Sequence, residues 1–139
     1  MADQEIARSF NRVTQTWPGG EHTFALNIGE LFALQQICEA GPNIILSRLA
    51  SGAWEMSDIT AVLRLGLIGG GMDDVAAKKL VNNALTTSPL LGFVMPAHII
   101  LAAALVGAVG DDLQDDESSG DSDDDDGDAS GNGQAPKTV

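Results

Sequence analysis

Residues 89–109 read PLLGFVMPAHIILAAALVGAV, and this stretch decides how the fold is to be understood. It contains no Lys, Arg, Asp or Glu, and its one titratable side chain is His98. A segment of this length can cross a bilayer, which takes about 20 apolar residues. The same composition is also typical of a helix that is surrounded by other helices in a small domain.

Three features favour a core segment over a membrane span. Pro96 and His98 lie near its middle, where a lone span would be kinked and would carry a polar ring. No Lys or Arg closely flanks either end to anchor a span. The rest of the chain also contains several amphipathic helices, and the apolar face of each needs another apolar surface to pack against. We therefore predict a buried centre, split by Pro96 into a helix starting at Ser88-Pro89 and a second helix over 98–106.

The negative charge is concentrated near the C-terminus. The chain has 139 residues and a formal net charge of −13, and residues 111–139 carry ten Asp and Glu117 against Lys137. That part has too few large apolar residues to offset the entropy of ordering. We predict a frayed segment over 1–9, one folded domain over 10–109 and a disordered Asp-rich tail over 110–139.

Composition also excludes several classes of function and location. The folded part has no basic cluster that could neutralise phosphates, so we expect no nucleic-acid partner. Cys38 is the only cysteine, so no internal disulfide can form. The first residues, MADQEIARSF, lack the apolar core of a signal peptide, and we expect a protein of the bacterial cytoplasm.

Local patterns predict an α+β fold that is mostly α. Alternating apolar residues on both sides of Pro18-Gly19 predict an N-terminal β-hairpin packed on a compact bundle of about five to six short helices. Asn27 followed by Glu30 is the pattern of a capping box. The predicted hairpin strands are 10–17 and 21–27, and the predicted helices before residue 88 are 28–39, 42–50, one capped by Ser57, and one from Asp73 or Asp74 to about 86.

No group of residues forms a recognisable catalytic or metal site. His22, Cys38 and His98 stand singly in different elements, whereas metal sites and nucleophile–base pairs bring several such side chains together. The glycines at 69–71 end a helix, which is not the arrangement of a phosphate-binding loop. We therefore expect no catalytic, cofactor-binding or metal-binding residues, and no enzyme.

Two tryptophans are the candidates for a partner surface. Trp17 adjoins the predicted hairpin turn, and Trp54 lies between two predicted helices. Aromatic residues near loops are frequent anchors of protein interfaces.

Two stretches carry a resemblance to a known family. They are GGEHTFALNIGELFALQQICEAGPNIILSRLASGAW at 19–54 and SDITAVLRLGLIGGGM at 57–72. Over about residues 10–107 the chain resembles a small tail-module protein of gene transfer agents and related prophages of alphaproteobacteria, encoded near the tape-measure gene. Such proteins are often labelled tail tube proteins and also resemble the tail assembly chaperones of long-tailed phages. The Asp-rich tail departs from the family pattern.

The resemblance implies a non-enzymatic role in tail assembly. The number of predicted strands and helices helps to choose between a tube protein and an assembly chaperone. A tube wall stacks many strands into a ring, whereas this sequence predicts two. A small helical protein with apolar surfaces can instead cover the helices of another protein. We expect a chaperone for the tape-measure protein; the alternatives are a structural tail tube component and a small membrane protein spanning at 89–109. Expected partners are the tape-measure protein, other phage tail proteins or a second copy.

Overall fold

The computed structural model describes residues 10–108. The predicted frayed segment 1–9 and the predicted tail 110–139 lie outside the described residues. The predicted fold class is confirmed, because an N-terminal hairpin is followed by helices. The elements are β1 Arg12–Trp17, β2 Gly20–Ala25, α1 Ile28–Cys38, α2 Pro42–Ser51, α3 Met56–Gly69, α4 Asp74–Thr87, a 3₁₀ turn Leu90–Phe93 and α5 Val94–Val106.

The hairpin is antiparallel and lies with one face on the helices. Trp17 is opposite Gly20, and Val13 is opposite Phe24. Trp17 and Phe24 are buried, whereas Thr14 is exposed and shares a 2.9 Å hydrogen bond with Thr23 across the strands. Since two strands alone are marginally stable in water, the helices beneath stabilise this hairpin.

Helix α3 lies at the centre of the domain. It packs against β2, α1, α4 and α5, and every residue from Ala61 to Leu67 except Arg64 is buried. Residues 89–108 contribute to the core, as predicted, because Phe93, Ala97 and Ile100 are buried, but this stretch is not the enclosed centre of the domain. The sequence of α3 is less apolar than that of α5, since it includes Asp58 and Arg64, yet α3 is the helix that neighbours cover on several sides.

Helix α5 is covered on one side only. It packs on α2, α3 and the hairpin and buries Ala97, Ile100 and Leu101, but Met95 and Val106 are exposed. Residues 89–108 do not form one continuous helix, since α5 has 13 residues and follows a 3₁₀ turn. Within residues 10–108 no helix has both the length and the apolar character to cross a membrane.

Two predicted helix starts are wrong. Pro96 does not divide the last helix, because it is the third residue of α5, where backbone N–H groups have no partner within the helix and proline is tolerated. Ser57 does not cap α3, which begins one residue earlier. There the backbone N–H of Glu55 donates to Oδ2 of Asp58 at 2.9 Å.

The glycines at 69–71 end α3, as predicted, and also bring it close to the hairpin. The N–H of Gly71 donates to the carbonyl of Ile68 and the N–H of Met72 to that of Leu67, the pattern of a Schellman motif. Gly71 has φ +117°, which favours glycine. Gly69 and Gly70 lie against the backbone carbonyls of β2, and a Cβ at either would overlap them.

Candidate functional site: an exposed apolar helix face

Trp17, a predicted interface residue, lies in the core. Its side chain is 4% exposed, and its indole N–H donates to Nδ1 of His22 at 2.8 Å. The ring meets Phe24 and Phe93 edge to face, with centroids 5.8 and 6.1 Å apart. Trp17 thus joins the hairpin to the 3₁₀ turn before α5, and the folded monomer presents almost none of it to a partner.

Trp54, the second predicted interface residue, lies in the loop between α2 and α3. Its side chain is partly buried and packs against the core from the outside. It retains an accessible surface and stays a candidate for partner contact. The structure does not bring Trp54 and Trp17 together into one exposed patch, because Trp17 is buried.

A polar cluster that sequence reasoning missed lies where α1, α2 and α3 meet. Nη2 of Arg48 is 3.1 Å from Oδ1 of Asp58, whose side chain is fully buried. The Cys38 thiol donates to the carbonyl of Ser57 at 3.6 Å. Burial, reinforced by the negative charge of Asp58, raises the pKa of Cys38 to about 12.

This cluster fixes geometry and offers little reactivity. A thiol with so high a pKa is protonated at neutral pH, and the thiolate is the form that attacks or ligates. Among residues 10–108 no three His, Cys, Asp or Glu side chains are grouped so that they could hold a metal ion. The arrangement can therefore hold three helix ends in register, and we assign it that structural role.

The outer side of α5 is an apolar surface that a partner could contact. Met95 is 64% exposed and Val106 is 78% exposed, with Ile99 between them at 38%. We call Met95, Ile99, Ala102 and Val106 the α5 stripe; Ala102 is partly buried. The entire helix VMPAHIILAAALV has no formally charged residue, so the stripe is bordered by apolar and small side chains and His98.

Other exposed apolar side chains are found on different helices. Ile28 and Phe32, one turn apart on α1, are 69% and 66% exposed, and Val75 on α4 is similarly exposed. Unlike α5, both helices carry charged residues, among them Glu30 on α1 and Lys78 on α4. Sequence periodicity could not distinguish an outer side of α5, because its apolar residues occur all round the helix.

Comparison with known proteins identifies the family. Residues 11–107, which include every strand and helix described above, match the family described as phage tail tube protein, GTA-gp10. Neither the curated proteins nor the solved structures gave a match to the chain. The family match covers well over half of the chain and agrees with the resemblance carried by residues 19–54 and 57–72. The chain therefore belongs to the gene transfer agent and phage tail family described as phage tail tube protein, GTA-gp10.

Proposed function

We propose that this protein is an assembly chaperone of a phage-like tail, which covers apolar helices of the tape-measure protein until the tube forms around it. It acts by packing surface against surface and catalyses no reaction. The observation that carries the proposal is helix α5, which has no charged residue and leaves one apolar side partly exposed. Exposed apolar surface of this kind marks a site for another macromolecule.

The small amount of sheet supports the same role. Residues 10–108 contain one two-stranded sheet, and the remaining elements are helical. Part of the outer edge of β2 is covered, because Gly69 at the end of α3 and the capping Gly70 lie against the carbonyls of Ala25 and Thr23. A continuous tube wall is built from strands that extend the sheet from subunit to subunit, and a small sheet with part of one edge covered is less suited to that role.

Co-expression with the tape-measure protein of the same tail module tests the proposal. We expect the tape-measure protein to become soluble and to co-purify with this chain. Mass spectrometry of finished particles should then find this chain depleted relative to the tube. Failure to form a complex, together with many copies in each particle, would contradict the chaperone role.

The second candidate is a structural component of the tail tube, which is favoured by the description of the matching family. In that case the chain would remain in finished particles in a fixed ratio to other tail proteins. The same mass spectrometry separates the two candidates, because a chaperone leaves when assembly ends.

A further inference from the structure

The α5 stripe has the spacing of a helix–helix seam. Its residues follow one another at intervals of four, three and four, which places them on one side of the helix. This is the heptad spacing at which the side chains of one helix fit between those of another. From Met95 to Val106 the stripe is about 16 Å long at 1.5 Å per residue, or three turns.

The covered side of α5 is already occupied, so the stripe is free for a further helix. Ala97, Ile100 and Leu101 face α2, α3 and the hairpin, and all three are completely buried. Pro96 is buried as well, and its carbonyl accepts a hydrogen bond from Nε2 of Gln15 on β1 at 3.1 Å. These contacts fix which way α5 faces and hold the stripe outward.

The charge of this chain helps to decide which kind of partner could cover the α5 stripe: a second copy, a lipid surface or another helix. Most of the formal charge of −13 belongs to residues 111–139, which follow α5 closely in the sequence, and repulsion between these acidic segments opposes the pairing of two copies. Amphipathic helices that bind lipid surfaces carry Lys and Arg around their apolar side, whereas α5 carries none. A helix with basic residues beside its apolar side is instead attracted by this acidic protein.

We propose that the α5 stripe binds an amphipathic helix of a tail protein whose apolar heptad positions are bordered by Lys and Arg. The assignment deepens the proposed function, on which it rests for the identity of the partner. The apolar seam supplies the contact, and the negative charge of this chain supplies selectivity for a basic partner.

The test uses the full chain and a synthetic probe helix, with leucines at heptad spacing and lysines beside them. The stripe variant is Met95→Glu with Val106→Glu, and the matched control is Ile28→Glu with Phe32→Glu on α1. We expect the stripe variant to weaken probe binding at least about tenfold, since two apolar contacts are lost and a negative charge enters each position. The α1 variant should stay within about twofold of wild type. Circular dichroism should show that both variants keep their helices, because the replaced side chains are exposed.

Two further comparisons separate the possible occupants. A probe with glutamates in place of the lysines should not bind, and raising NaCl from about 0.05 to about 0.5 M should weaken binding of the lysine probe. Self-association that strengthens with salt and disappears in the stripe variant would overturn the proposal in favour of a second copy. Binding to neutral lipid vesicles that is lost in the stripe variant, with no binding of the probe, would overturn it in favour of a membrane surface.

The same variants, co-expressed with the tape-measure protein, separate this proposal from the function on which it rests. If wild type solubilises the tape-measure protein and only the α1 variant fails, the chaperone role stands and the stripe assignment is overturned. If wild type leaves it insoluble while the probe still binds through α5, the stripe assignment stands and the chaperone role fails.

Discussion

Arg48 and Asp58 form an ion pair across the junction of α2 and α3, with Nη2 and Oδ1 separated by 3.1 Å. Asp58 is fully buried, and its other oxygen accepts from the backbone N–H of Glu55. One carboxylate therefore both pairs with α2 and caps the first turn of α3. The pair therefore joins α2 to the first turn of α3, the helix at the centre of the domain.

Removing the Arg48 side of this pair should destabilise the fold strongly. Arg48→Met leaves a buried carboxylate without its partner, and we expect a loss of about 3 kcal/mol in the free energy of unfolding. Arg64→Met is the matched control, because Arg64 pairs with the exposed Asp74 at 3.2 Å and should cost less than about 1 kcal/mol. Urea denaturation measures both; equal losses would show that the buried pair has no special role.

The thiol of Cys38 should be unreactive in the folded protein. Its pKa is raised to about 12, so at pH 8 the folded chain holds almost no thiolate, and the side chain is also buried. We expect labelling by a disulfide reagent to be at least about a hundredfold slower than in the denatured chain at the same pH, where the thiol has its ordinary pKa near 9. Similar rates before and after addition of guanidinium would contradict the burial of this group.

Close approach of α3 to β2 predicts that Gly69 tolerates no side chain. Gly69→Ala places a methyl group on the carbonyl of Ala25, and we expect a loss of about 3 kcal/mol in the free energy of unfolding. Gly29→Ala, on α1, meets no atom within 4 Å and should instead stabilise by up to about 1 kcal/mol. Thermal unfolding of the two variants should therefore shift in opposite directions.

Trp17 and Trp54 should differ in how much each contributes to the free energy of unfolding. Trp17→Ala removes a buried ring with its hydrogen bond to His22, and we expect it to cost about 3–5 kcal/mol. Trp54→Ala removes a partly exposed ring and should cost clearly less. If Trp54 also contacts a tail protein, its loss should weaken that complex while the unfolding curve moves little. Comparable losses of stability for both variants would refute this distinction.

Features that depend on neighbouring residues were predictable from the sequence. Glu30 accepts a hydrogen bond from the backbone N–H of Asn27 at 3.0 Å, as the local pattern predicted, and α2 begins at Pro42 directly after Gly41. The hairpin was also predictable, because apolar residues alternate on both sides of Pro18-Gly19. In each case the residues that decide the conformation lie within a few positions of one another.

The polar cluster and the burial of Trp17 depended on contacts between residues in different elements. Arg48 and Asp58 are ten residues apart on two different helices, so no local pattern pairs them. The burial of Trp17 likewise depends on its contact with Phe93, which is far away in the sequence.

The sequence by itself determined the hairpin, the succession of helices, the charge of the chain and membership of the tail family. Only the tertiary structure decided that α3 is central and that α5 keeps one side exposed. Helix α5 is apolar all round, so periodicity identifies no preferred face on it, and α3 includes Asp58 and Arg64, so composition does not single it out as the central helix. Burial is decided by which surfaces the other elements reach, and that depends on packing across the entire domain.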